Sequence, residues 1–191
     1  AGCACAVEAI KVTLDRKKMA LGDIIFASTP SKSYARGVAS ILHRGLTADA
    51  SLYLHPAESG KGMGEIKAVA SGQLEFSISV IGLAPDTTEP GHTAFSHLGV
   101  NPIDKAIKII DALYQLNKAR NLRIRHEKIH KEVGRSTNLH ISNIVSNDEH
   151  RLSRLNETCT FGGAISFPPG EDLSQVKEEI EKTVKKGSEN D

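Results

Sequence analysis

Leu74, Phe76, Ile78 and Val80 alternate with polar residues, and after Gly82 and Pro85 the apolar residues recur every three or four positions instead. This change of period from 2 to 3.6 constrains the fold more than any other feature, because it predicts a half-buried strand leading into an amphipathic helix. The helix, Pro102 to Asn117, puts Ile103, Ala106, Ile107, Ile110 and Leu113 on one face. Alternation returns at about Asn138 to Val145 and again at Thr158 to Phe167, where Cys159, Phe161, Gly163, Ile165 and Phe167 share one side. Pro168-Pro169-Gly170 ends that strand, and Asp172 with Gln175 has the pattern of a capping box for a last helix carrying Leu173, Val176, Ile180 and Val184. The order βαββα is a ferredoxin-like βαββαβ unit without its final strand.

Upstream the grammar differs. An amphipathic helix with Val7, Ile10 and Leu14 on one face is followed by a predicted strand at Asp23 to Ser28. A second helix follows at about Tyr34 to Leu46, with Val38, Ile41 and Leu42 inward, and then a strand at Ser51 to Leu54. Alternating helices and strands predict an α/β domain with a parallel sheet. Functional side chains in such sheets gather at the carboxyl ends of strands, which singles out the loop His55-Pro56-Ala57-Glu58-Ser59-Gly60. Residues 1–69 are thus expected to be part of an α/β domain and residues 70–191 a second, α+β domain. The opening inside a helix and the absent last strand both suggest a piece of a longer chain.

The formal net charge of +1 and the mixed signs give no footprint for nucleic acid, and no apolar run approaches the roughly 20 residues that cross a bilayer. With 39% hydrophobic residues the chain can bury roughly 70% of its unfolded surface. Cys3, Cys5 and Cys159 show no paired metal spacing, so buried thiols in a reducing, cytoplasmic setting are expected.

The best place for chemistry is Gly91-His92-Thr93-Ala94-Phe95-Ser96-His97-Leu98-Gly99-Val100-Asn101-Pro102, where a histidine loop meets a strongly signalled helix start. Asn101 can cap the helix, Pro102 suits its first turn, and Asp104 favours the positive end of the dipole. His92 is therefore held just before a rigid element.

Gly72-Gln73-Leu74-Glu75-Phe76, His92 seven residues before Gly99-Val100-Asn101, Glu157-Thr158-Cys159-Thr160 and Pro168-Pro169-Gly170-Glu171 occur together and in order. With Leu21-Gly22-Asp23-Ile24-Ile25-Phe26 and Leu46-Thr47-Ala48-Asp49-Ala50, they resemble the zinc-dependent deacetylases and peptidases related to acetylornithine deacetylase, succinyl-diaminopimelate desuccinylase and aminoacylase. The resemblance implies a partial α/β catalytic domain joined to an inserted ferredoxin-like lid that forms a homodimer. It also implies two zinc ions as cofactor, and hydrolysis of amide bonds in N-acyl amino acids or small peptides by zinc-activated water. His92 falls on the lid histidine, thought to reach the partner subunit's site and stabilise the oxyanion.

The same resemblance implies a metal-side acidic position just after the Leu52 to Leu54 strand, where this chain has His55 with Glu58 close by. The family's first histidine and bridging aspartate would lie before Ala1 and its final histidine after Asp191, while one further ligand belongs to a glutamate pair. That pair, which includes the general base, should fall near Thr29-Pro30-Ser31-Lys32-Ser33, and no acid occurs there. Lysine and serine cannot take a proton from metal-bound water near neutral pH. An asparagine and an arginine that often serve carboxylate recognition are replaced by Ser153 and Ser166, leaving Arg135 and Asn138 as substitute positions.

Two other readings compete. A degenerate or truncated relative that keeps the dimerising sheet without hydrolysis accounts for the missing acids. His126-Glu127-Lys128-Ile129-His130 also matches the H-E-x-x-H zinc pattern, but in polar, basic surroundings (Arg123, Arg125, Lys131). Gly60-Lys61-Gly62-Met63-Gly64 lacks the spacing and helix of a phosphate loop and reads as a turn.

Overall fold

The computed structural model describes residues 2–15, 22–30, 35–54, 64, 66–146 and 152–189. The chain divides into two units, Ala1–Lys67 and Ala68–Asp191.

The first unit contains helix α1, Gly2–Asp15, and helix α2, Arg36–His43. The amphipathic pattern is present in both, but it is not matched by burial. No residue of α1 is buried, and Val38 and Leu42 of α2, expected inward, are exposed; Gly37 is the buried residue of α2. Cys3 and Cys5, expected as buried thiols, are exposed for the same reason. The two segments expected as strands, Asp23 to Ser28 and Ser51 to Leu54, form no ladder among the described residues. A strand exists only with a hydrogen-bonding neighbour, and neither segment has one there, so Ile24, Ile25, Phe26, Leu52, Tyr53 and Leu54 stay exposed.

The second unit is the expected α+β arrangement. Strand β1 runs Gly72–Ile81, helix α3 Pro102–Arg123, short helix α4 Glu127–Val133, strand β2 Asn138–Ser146, strand β3 Thr158–Phe167 and helix α5 Leu173–Glu189. The sheet order is β1-β3-β2, with β3 antiparallel to both neighbours, as a ferredoxin-like unit requires. Helices α3 and α5 cover one face. There Ala106, Ile109 and Leu113 of α3 meet Leu139 of β2, Cys159, Phe161, Ile165 and Phe167 of β3, and Val176 and Ile180 of α5. The apolar side read from β3 is thus the core side, and burial pushes the Cys159 thiol pKa up. On the other face Ser79 and Thr160 share a hydrogen bond of 3.0 Å. The central strand can carry Gly163 because the ring of Phe76 lies over it: a Cβ there would sit 2.9 Å from that ring and 2.3 Å from the His140 carbonyl oxygen.

The phase of the ladder follows from one bond. Gly82 donates to the Glu157 carbonyl, so even-numbered residues of β1 bond inward to β3, while the backbone groups of Gln73, Glu75, Ser77, Ser79 and Ile81 point out from the edge. Carried across β3, the same phase leaves Leu139, Ile141, Ile144 and Ser146 of β2 pointing outward, with a bulge between Ile141 and Asn143.

Helix α3 begins as its sequence dictates: the Asn101 Oδ1 accepts from the Ile103 N–H at 3.0 Å, and Pro102 takes the first turn. It runs six residues beyond the expected end at Asn117 because Arg120 continues the inward face in place of an apolar side chain. Arg120 is 1% exposed; it donates to both carboxylate oxygens of Glu171 at 2.8 and 2.7 Å and also binds Glu179, which binds Arg123. Its Nε lies 3.4 Å from Thr137 Oγ1, which in turn donates to the Ser166 carbonyl, tying the helix end to the sheet. At α5 the Asp172 carboxylate accepts from Ser174 and Gln175, as the capping pattern predicts.

Candidate functional site

His92 stands in a loop tied down on both sides. Leu83, just past β1, exchanges two backbone hydrogen bonds with Val100 just before α3. Thr93 donates to the Ser153 carbonyl at 3.0 Å and Leu155 to the Gly91 carbonyl at 2.7 Å, clasping the loop to the segment that enters β3. His92 ends the extended stretch and caps a short 3-10 helix, Thr93–Leu98. Its Nδ1 accepts from the Ala94 N–H at 3.1 Å, and its ring meets Phe95 edge-on at a centroid distance of 6.4 Å. With Nδ1 occupied as acceptor, the neutral imidazole carries its proton on Nε2, so the half-buried ring presents a single N–H donor. This is the arrangement needed to meet a negative oxygen.

Arg135 and Asn138 are brought together: Arg135 donates to Asn138 Oδ1 at 3.0 Å. Asn138 is the register partner of Ser166, the position at which the resemblance expects an arginine. This pair lies at the end of β3 opposite to His92. Ten residues of strand separate the two ends, about 30 Å. A small substrate cannot touch His92 and Arg135 of one chain at once. His55 and Glu58 lie outside the described residues.

His126 and His130 do not form a zinc pair in the expected helical sense. His126 is the N-cap of α4, outside the helix, and its Nδ1 accepts from the Ile129 N–H at 3.4 Å. The spacing is real, but the local hydrogen bond uses the first histidine to start a helix. Among the described residues no three His, Cys, Asp or Glu side chains converge to hold a metal ion. The described residues therefore do not by themselves form a zinc centre.

Sequence reasoning missed two polar clusters. One is the buried Arg120 network. The other is Asn117, whose Oδ1 accepts from the Leu139 N–H at 2.9 Å while its Nδ2 donates to the Leu139 carbonyl at 3.2 Å. Asn121 stacks behind it, donating to the Asn117 carbonyl at 2.9 Å. The available signal was periodicity: Asn117 and Arg120 lie four and seven residues after Leu113, on its helix face.

Residues 87–191 match the family described as the peptidase dimerisation domain. No curated protein matches the chain. Among solved structures, it is similar to an M20 family metallo-carboxypeptidase from Sulfolobus solfataricus, at 15% identity and a TM-score of 0.42, over 64% of this chain and 41% of that one. It is also similar to a protein described as an aminohydrolase from methicillin resistant Staphylococcus aureus (18% identity, TM-score 0.43, 63% and 25% covered). A third is a protein described as an amidohydrolase/peptidase from Burkholderia cenocepacia (11%, 0.40, 63% and 24%). The chain spans less than half the length of each of these proteins.

Proposed function

The chain belongs to the family of the peptidase dimerisation domain, and on that premise we propose that it is the lid and dimer-forming part of a metal-dependent amide hydrolase. The substrates would be N-acyl amino acids or small peptides, as in the deacetylases, desuccinylases and aminoacylases that the sequence resembles. Zinc, when bound in such a protein, activates water for attack on the acyl carbonyl. His55 and Glu58 are the positions in this chain proposed to lie on the metal side. Among the described residues no helix is long and apolar enough to cross a membrane; a cytoplasmic homodimer is the proposed setting.

The role of His92 is the part this chain supplies. The observation that supports it is the Ala94 N–H to Nδ1 hydrogen bond, which leaves Nε2–H as the donor on a loop clasped at both ends. A donor held in place before charge develops stabilises an oxyanion without reorganising, and removal of one such donor typically slows turnover by about 10²-fold to 10³-fold. Arg135 with Asn138 would bind a substrate carboxylate; because they stand at the far end of the sheet from His92, they would serve a different active site from the one His92 completes.

The test is a mixed dimer between this chain and a catalytically complete family member. His92→Ala in this chain is expected to lower kcat at the partner's site by about 10²-fold with a smaller change in KM. Equal turnover with and without the substitution would overturn the role. The lack of any acid at Thr29-Pro30-Ser31-Lys32-Ser33 favours a second reading, in which the protein is a non-catalytic dimerisation and binding module. Under that reading the mixed dimer forms but His92→Ala leaves its turnover unchanged.

A further inference from the structure

One further charge stands beside His92. His92 and Arg154 form an isolated antiparallel bridge, and the two backbone hydrogen bonds that make it run between their neighbours, from the Thr93 N–H to the Ser153 carbonyl and from the Leu155 N–H to the Gly91 carbonyl. The Thr93 hydroxyl repeats the first tie by donating to the same carbonyl. His92 and Arg154 are therefore a non-hydrogen-bonded pair, the kind in which facing residues stand closest, with Cα atoms about 4.5 Å apart and both side chains leaving on one face. The imidazole and the guanidinium start from the same side of the clasp.

Arg154 is exposed, and its side chain lies along Gly91: a Cβ at position 91 would sit 3.4 Å from Cδ and 3.7 Å from Nη1. The guanidinium is thereby laid against the backbone next to His92 instead of reaching away from the loop. Among the described residues no carboxylate lies within ion-pairing distance of it, although Glu89 and Glu157 stand three positions from the bridge on the two segments. Arg120 and Arg123 of the same unit, by contrast, are both paired. A planar fork of N–H donors thus stands open beside an imidazole that presents a single N–H, and a fork of that shape suits a carboxylate.

We propose that Arg154 and His92 bind one substrate together, Arg154 receiving a carboxylate while the His92 Nε2–H meets the oxygen of the reacting carbonyl. The proposal rests on the lid reading above and deepens it by naming a selectivity for anionic substrates and the residue that sets it. Side chains that leave facing positions about 5 Å apart converge on groups a few bonds apart in a small molecule. A carboxylate three bonds from the amide carbonyl carbon meets that condition, and it occurs on either side of the scissile bond: as the α-carboxylate of an N-acyl amino acid, or at the far end of a succinyl group. Arg135 cannot do this for the same site, because it lies the length of β3 from His92, whereas Arg154 belongs to the clasp that holds His92.

The experiment follows the His92 and Arg154 side-chain resonances of the whole chain by NMR as three probes are added: N-acetylalaninamide, which has no carboxylate, N-acetylalanine, which has the α-carboxylate, and N-succinylalaninamide, which has the acyl carboxylate. At least one carboxylate probe is expected to move both side chains together and saturably, and the one that does so names the side of the bond. N-acetylalaninamide is expected to bind about tenfold more weakly or less. In Arg154→Ala the affinity for the carboxylate probe is expected to fall about tenfold or more, and Arg154→Lys, which keeps the charge without the fork, to recover part of it. Lys128→Ala, which removes an exposed cation on α4, controls for net charge and is expected to bind as the unsubstituted chain does.

Equal binding of all three probes, no response of His92 and Arg154 to either carboxylate, or undiminished affinity in Arg154→Ala would overturn the proposal. So would a loss of affinity that comes with lost hydrogen-exchange protection of the Leu155 amide, because Arg154 would then act only by holding the clasp. In the mixed dimer with a catalytically complete family member, Arg154→Ala is expected to raise KM for the carboxylate substrate about tenfold with kcat little changed, the opposite split from His92→Ala. The two readings fail differently. Turnover indifferent to both substitutions, with probe binding by the chain still dependent on Arg154, would overturn the lid reading and support the binding pair. Turnover that falls in His92→Ala but keeps its KM in Arg154→Ala would support the lid reading and overturn the role of Arg154.

Discussion

At the scale of single residues, charge placed inside the fold carries the clearest consequence. Burial raises the pKa of the Glu179 carboxyl, but hydrogen bonds from Arg123 and Arg120 outweigh this and hold it below the ordinary glutamate value. A carboxylate whose pKa is lower folded than unfolded adds stability above its unfolded pKa of about 4.3, and that stability is lost as pH falls through the folded value. Urea midpoints measured from pH 7 downward should therefore fall below about pH 5, and Glu179→Gln should flatten part of that fall. An unchanged slope in the variant would show that Glu179 contributes no linkage. The same cluster explains a motif: Glu171, in the turn after β3, is where the chain meets the guanidinium of Arg120. Sequence pattern picked out the turn, but only the packing shows its partner.

At the scale of elements, the well-formed helices and strands are those whose local signals agree with their packing. Helix α3 has an asparagine cap, a proline in the first turn, an aspartate near its positive end and an apolar face that reaches the core. Asn101→Ala is expected to cost about 1 kcal/mol, read as a lower urea midpoint with unchanged slope, and Asn101→Gly only a few tenths. Equal loss in both variants would mean that something other than the cap hydrogen bond is at work. Helix α2 has pattern without the agreement: its left-handed Ala35 cap makes no side-chain hydrogen bond, and its apolar face is exposed. The H-E-x-x-H spacing in α4 shows the limit of motif reading. A histidine at the first position can start a helix as well as hold a metal, and the Ile129 N–H decides which.

At the scale of the whole molecule, the two units differ in how much they bury. The core, from Ala106 to Ile180, lies wholly in the second unit, whereas Gly37 is the one buried residue among the described positions of the first. Local opening follows burial, so limited proteolysis of the native chain is expected to cut within residues 1–67 and leave a protected product containing residues 72–189. Early cleavage inside β3 or α5 would contradict this ordering. The separation of His92 from Arg135 and Asn138 by the length of β3 also belongs to this scale: any site that uses both draws them from different chains.

The identity of β1, α3, β2, β3 and α5 was legible in the sequence because alternation, capping residues and turn residues act over a few neighbouring positions, whereas the short helices Thr93–Leu98 and α4 were not read from it. The order βαββα then leaves few ways to fold. The His92 loop was legible too, through the capped helix that follows it. The strands expected at Asp23 to Ser28 and Ser51 to Leu54 were not, because a strand depends on a partner that is distant in sequence. For the same reason only the tertiary structure shows that Arg120 pairs with Glu171 across 51 residues, that Asn117 closes the Leu139 rung, and that Arg135 lies a full strand away from His92. Local periodicity determines which face of an element is apolar; which groups meet across elements is decided by packing and register.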